Sequence, residues 1–143
     1  TLQSTVFWTT LKDKSVTDFS GTVRYRASTV VPVVAGSRWR LDLGGVRETA
    51  RVFINGKPAG VSWSPPHRME VSELLKQGEN LIEIEVTNLA ANRIADLDRR
   101  GVSWKRFHEI NFVGRSYKPF DAGSWPTIDS GLGGPVLLQP LVK

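Results

Sequence analysis

In four separate stretches of this chain, apolar side chains recur at every second position, a period that fits half-buried β-strands and little else. Val23, Tyr25 and Ala27 alternate with Thr22, Arg24 and Arg26; Trp39, Leu41 and Leu43 alternate with Arg40 and Asp42. Ile82, Ile84 and Val86 alternate with Glu83 and Glu85, and Ala50 to Ile54 repeats the pattern. Asn55-Gly56 follows that last run directly. Both residues tolerate the positive φ of a type I′ turn, so a hairpin is predicted with Lys57 opening its return strand. Arg68 to Val71 reads as a further short strand, followed by Ser72 as a helix N-cap, Leu74 and Leu75 facing inward and Gly78 closing the turn. The run Pro135 to Leu141 is rich in Val and Leu, and its prolines suit an edge strand or a strand start. With Thr5 to Thr10 added, about eight short strands and no sustained helix predict an all-β fold. A jelly-roll β-sandwich is the architecture expected.

A chain of 143 residues holds one core, so residues 1–143 are read as a single module. No apolar run approaches the roughly 20 residues of a membrane-spanning helix, and Thr1 to Thr10 lacks the basic-then-apolar order of a secretion signal. A Thr at the first position points to a processed product or an excised piece of a longer protein. Zero cysteines exclude disulfides, thiolate metal sites and cysteine nucleophiles. The net charge of +5 is spread along the chain, with a local excess between Arg93 and Lys118. Scattered arginines on a sandwich serve solvated or salt-bridging duty more often than nucleic-acid binding, so neither nucleic acid nor a membrane is an expected partner.

Between Leu89 and Gly134 the alternation breaks down. This long irregular stretch contains Trp104, Phe107, His108, Phe112, Tyr117, Phe120 and Trp125. Loops of that length in compact domains are more often functional or interface-forming than idle. Glycoside cleavage would need two carboxyl groups about 5 to 5.5 Å apart for retention or about 6.5 to 9.5 Å apart for inversion. Asp96 with Asp98 and Asp121 with Asp129 are the loop pairs to consider, and pairing with Arg99, Arg100 or backbone amides is the structural reading of the first. There is no P-loop, HExxH or nucleophile elbow, and His67 and His108 lack the spaced partners of a zinc site. Neither a metal nor a cofactor is expected.

Sugar recognition suits the aromatic stretch better. A pyranose sets its axial C–H groups on an aromatic face while its hydroxyls seek planar polar partners. Trp8 and Trp39 fall on strand patterns and are core candidates. Trp63 precedes two prolines near a loop, and Trp104 and Trp125 lie inside the irregular stretch, where they either stack on sugar or pack the loop onto the sandwich. Tyr117, His108, Arg99, Arg100, Arg115 and Asp121 complete the candidate ligand-binding set, the guanidinium fork being matched to paired oxygens.

The order Leu41-Asp42-Leu43-Gly44, Val52-Phe53-Ile54-Asn55-Gly56-Lys57, Gly60, Trp63, Pro65-Pro66-His67-Arg68, Val71-Ser72, Leu75-Lys76, Gly78-Glu79-Asn80 and Val86-Thr87-Asn88 resembles the sugar-binding domain of family 2 glycoside hydrolases, a galactose-binding-like jelly roll. Asn92-Arg93-Ile94-Ala95-Asp96, Trp104 to Phe112, Tyr117-Lys118-Pro119-Phe120 and Ser130-Gly131-Leu132-Gly133-Gly134-Pro135-Val136 are similar to the terminal β-sandwich of bacterial alpha-L-rhamnosidases. The resemblance implies a non-catalytic accessory module of a carbohydrate-active enzyme, in a secreted or periplasmic bacterial setting. Its implied partners are a carbohydrate and the catalytic domain of the parent hydrolase. The alternative is a purely structural or protein-interaction sandwich without sugar binding.

Overall fold

The computed structural model describes residues 5–32, 36–106, 115 and 117–141. Among them nine antiparallel strands build three sheets. In chain order the strands are β1 (Thr22–Val31), β2 (Arg38–Asp42), β3 (Gly45–Arg47), β4 (Thr49–Ile54), β5 (Lys57–Ser62), β6 (Arg68–Glu70), β7 (Gly78–Thr87), β8 (Gly131–Gly133) and β9 (Leu137–Leu141). A four-stranded sheet runs in the order β1-β7-β4-β5, a three-stranded sheet in the order β6-β2-β9, and β3 pairs with β8. The architecture is the expected all-β sandwich.

The core is made by the alternating side chains. In β1 and β7 the register sets Val23 opposite Val86, Tyr25 opposite Ile84 and Ala27 opposite Ile82, all on the inner face. Leu41, Leu43 and Val46 meet them from the other side, with Val52 and Ile54 of β4, Leu132 of β8 and Val136 filling between. Leu41, Leu43, Val52, Ile54 and Val86 are completely buried. Each such aliphatic side chain contributes roughly 1.5–3 kcal/mol of transfer free energy. Outward positions carry the charge alternation: Arg26 Nε donates to Glu83 at 2.8 Å, Arg24 pairs with Glu85, and Arg51 approaches Glu85 at 3.5 Å. These arginines do the salt-bridging duty expected of them, and such exposed pairs add little stability.

The hairpin at Asn55-Gly56 forms as predicted, with φ of 52° and 78°. Its tip is tied down by a buried polar pair that the apolar pattern does not show. Asn80 accepts from Asn55 Nδ2 at 2.8 Å and from the Lys76 amide at 2.9 Å, and it donates to the carbonyls of Lys76 and Gly78. All four of its hydrogen-bonding positions are used, which is what makes a completely buried amide affordable.

Three local expectations are corrected. Thr5 to Thr10 is not a strand: Thr5 makes one isolated bridge to Gly134, and Trp8–Leu11 is a 3-10 turn that buries Trp8. A short helix α1 (Lys14–Thr17) follows, capped by the Asp13 side chain on the Ser15 amide. Ser72 does not cap; it starts a 3-10 turn behind Val71 and its hydroxyl accepts from the Trp39 amide at 2.8 Å. The nine strands agree with the about eight expected, the short β3–β8 pair lying in Gly-rich segments without alternation. Finally, the 89–134 stretch is not wholly irregular, because a nine-residue helix α2 (Ala91–Arg99) opens it.

Candidate functional site

Helix α2 owes its existence to good helix formers and to ion pairs at helical spacing. Asp96 binds Arg100 one turn later through Nε at 2.9 Å and Nη2 at 2.8 Å, and it binds Arg93 Nη1 at 2.9 Å. The helix stops at Gly101, φ 65°, where the Val102 amide reaches back to the Leu97 carbonyl and the Gly101 amide to that of Asp98. That pair of bonds is a Schellman closure. The inward face of α2 sets the polar Asn92 and Asp96 beside Ala95, and Asn92 donates to the Ile128 carbonyl at 2.7 Å and accepts from the Ile128 amide at 2.8 Å. Asn88, Asn92 and Ser130 thereby join α2 to the segments before β1 and β8, with Asn88 accepting from Gly21 and donating to Phe19.

In the last turn of α2, Asp98 gathers the donors of the aromatic stretch. It accepts from Trp104 Nε1 at 2.7 Å, the Ala122 amide at 2.7 Å and Lys105 Nζ at 3.0 Å. Burial by itself would raise the Asp98 carboxyl, but those three donors outweigh it and hold the group below the ordinary carboxylate range. Lys105 Nζ also donates to the Phe120 carbonyl at 2.6 Å and lies about 5.5 Å from the Trp104 ring centre. Trp104 meets Phe120 edge to face at 6.3 Å, and Phe120 meets Trp125 in the same manner at 5.6 Å. A shallow groove of about 410 Å³ lies beside this knot, lined by Asp98, Val102, Trp104, Lys105 and Asp121 among others.

The candidate residues therefore fall into distinct places. Trp104 and Trp125 come together through Phe120. Asp121 lies beside them but spends Oδ1 on the Gly123 amide at 2.8 Å. Arg99 and Arg100 project from α2 into a different, larger groove of about 820 Å³. There Arg99 Nη2 donates to Asp18 at 3.1 Å, while Arg100 holds Asp96. Tyr117 and Arg115 are exposed on the chain leading back to the knot. Trp63, 76% exposed, stands on the β5–β6 connection and lines neither groove. His108 lies outside the described residues. Trp8 and Trp39 are buried, as the strand patterns required of Trp39.

Asp98 was considered only in a carboxylate pair with Asp96, Lys105 and Arg93 were not singled out as site residues, and Phe19 escaped notice altogether. A signal for Asp98 was available in the run Asp96-Leu97-Asp98-Arg99-Arg100-Gly101, whose two-residue spacing sets the acids on opposite sides of one helix and gives each its own partners. Phe19 carried none.

Residues 9–120 match the family described as "Glycosyl hydrolase 2 galactose-binding domain-like". The chain belongs to this family. Among structures similar to this galactose-binding-like domain is a rhamnosidase from Novosphingobium sp. PP1Y, 30% identical with a TM-score of 0.72, aligned over 89% of this chain and 12% of that one. A beta-glucuronidase from an uncultured Clostridium is 27% identical with a TM-score of 0.52, over 62% of this chain and 16% of that one. A Formosa agariphila protein named "Putative beta-glucuronidase" is 31% identical over 95% of this chain and 13% of its own length. The domain thus spans about one eighth of the rhamnosidase and of the Formosa protein it matches.

Proposed function

We propose that this galactose-binding-like domain is a non-catalytic accessory part of a larger glycoside hydrolase, and that its contact with the catalytic domain runs through the knot of Trp104, Phe120 and Trp125. The observation that carries this reading is the commitment of the carboxylates. Asp96 is held by two guanidinium groups, Asp98 by three donors and Asp121 by a backbone amide. Carboxyl groups so engaged, with Asp96 and Asp98 also held below the ordinary carboxylate range, are poorly disposed to protonate a leaving group or attack an anomeric carbon. The knot is ordered from within and still presents ring surface, with Trp125 38% exposed and, on the chain leading to it, Tyr117 78% exposed. That combination supports docking against a second domain, since the ring edges and the Trp104 N–H are already engaged.

The test uses the purified chain and the parent enzyme with and without it. The chain alone should leave aryl glycosides intact, and the parent lacking it should keep the bond-breaking chemistry while losing thermal stability. Hydrolysis by the chain alone, abolished by Asp96→Asn with Asp98→Asn, would overturn the reading. A second reading, direct contact with glycan, is favoured by one observation away from the knot, the larger groove beside α2.

A further inference from the structure

The groove of about 820 Å³ is walled on one side by Arg93, Asp96, Arg99 and Arg100 of α2 and on the other by Lys14 and the Asp18-Phe19 turn. Four cations face two carboxylates there, an excess of two positive charges. The two signs are also placed at different depths. The side chains of Asp96 and Asp18 are 11% and 17% exposed, whereas those of Arg93, Arg99 and Arg100 are 50%, 41% and 52% exposed. Each carboxylate thus sits under the guanidinium groups and fixes them. Arg93 spends Nη1, Arg99 spends Nη2, and Arg100 spends Nε and Nη2 on these acids. Since a guanidinium carries five N–H donors, each fork keeps several for an external oxygen.

The aromatic component comes from Phe19. Phe19 lines the same groove and is 37% exposed as a residue, and its ring is braced edge to face against the buried Trp8 at 5.9 Å. A braced ring beside pre-oriented forks suits a ligand with an apolar C–H face and an attached oxyanion. Inorganic anions lack the former and neutral sugars the latter.

We propose that this groove is a binding site for an acidic saccharide, with Arg93, Arg99, Arg100 and Lys14 taking the oxyanion and Phe19 taking the pyranose face. The charged group is a uronate carboxylate or a sulfate ester, both of which present paired oxygens to a fork. The site deepens the glycan-contact reading and rests on it, whereas the accessory role and the docking knot stand independently of it.

Titration calorimetry on the chain, with parallel amide-shift mapping, tests the site with five probes. These are a galacturonate tetrasaccharide, a sulfated galactan tetrasaccharide, a neutral galactan tetrasaccharide, inorganic sulfate and a hexaglutamate peptide. At least one acidic tetrasaccharide should bind, with shifts at Phe19 and along α2, and should outbind the neutral one by roughly tenfold or more, the equivalent of one charge-assisted fork. The better of the two acidic arms identifies the carboxylate or the sulfate as the anchor. Lys14→Ala, an exposed change that leaves the ion pairs of α2 untouched, should weaken the complex about threefold, and raised salt should weaken it further. Phe19→Ala should weaken the saccharide but not inorganic sulfate. Arg100→Lys, which keeps charge while losing the fork, should cost more than Lys14→Ala. Absence of binding by both acidic tetrasaccharides would overturn the proposal. So would equal affinity for the neutral sugar, hexaglutamate binding as tightly as the saccharides, or affinities indifferent to Lys14, Phe19 and Arg100.

Discussion

Replacing Asp98 by Ala should unfasten the aromatic knot while leaving the sandwich folded. Three donors converge on this carboxylate, whose side chain is 6% exposed, and none of them belongs to a strand. The Ala122 amide and the Trp104 N–H would lose this acceptor, at about 1–3 kcal/mol each when kept dry. Lys105 keeps the Phe120 carbonyl at 2.6 Å, so it adds less. The groove beside Asp98 admits water, which places the sum toward the low end, about 2–4 kcal/mol. If residues 100–106 and 117–126 open as a local unit, that energy appears as faster exchange of the Ala122 amide and Trp104 indole, by roughly 30- to 1,000-fold at 1.4 kcal/mol per decade. Amides of β7 should not change. The same carboxylate gives a pH signature. Its folded value lies below the ordinary 3.8, so its contribution is complete above that value and is lost as pH falls through the folded one. Protection of the Ala122 amide in the parent sequence should therefore decline below about pH 4, and in Asp98→Asn it should be nearly flat. Unchanged exchange at Ala122 and Trp104, or equal acceleration throughout β7, would refute the reasoning.

Three further outcomes follow from single positions. Gly131→Ala would set a Cβ 2.6 Å from the Trp8 ring and 2.9 Å from the Tyr25 hydroxyl at a φ of 108°, so denaturant titration should show a loss of about 3 kcal/mol or more, or no folded protein. Asn80→Ala strips four bonds from the hairpin anchor and should lower stability by about 3–5 kcal/mol in the same titration, with exchange spreading from Asn55 and Leu81. Burial, with Arg47 nearby, pushes the buried His67 imidazole below its ordinary 6.5, and neutral His67 shares a 2.8 Å bond with the Ser62 hydroxyl. A depressed imidazole stabilises the fold fully above 6.5 and loses that contribution as pH falls toward the folded value. The denaturation midpoint should drop on acidification from pH 7 to 5.5, and the drop should shrink in His67→Asn.

The sandwich was legible because its strands bury one face and expose the other, so period-two spacing survives intact in β1, β2, β4 and β7. The hairpin was legible because Asn55-Gly56 is a turn with a backbone requirement. What was hidden is held together by polar groups. Helix α2 is nine residues long and turns Asn92 and Asp96 inward beside Ala95, so the apolar spacing of Ala91, Ile94 and Ala95 is too brief to stand out, although the Arg99-Arg100-Gly101 stop was there to be read. Trp8 sits in a 3-10 turn because Gly131 leaves room for its ring against β8, a relation spanning most of the chain. The aromatic stretch could be recognised as a cluster, yet sequence alone could not assign Trp104 to Asp98 or separate the arginines of α2 into a groove of their own. Those assignments depend on where α2 points after it leaves β7.

Hydrogen exchange on the chain alone and on the chain joined to its parent catalytic domain tests the central claim most directly. The account predicts that joining the two adds protection at residues 102–106 and 117–126, around Trp104, Phe120 and Trp125, and leaves the outward faces of β1 and β7 as they were. Protection gained across the Arg24, Arg26, Glu83 and Glu85 face with none at the knot would contradict it.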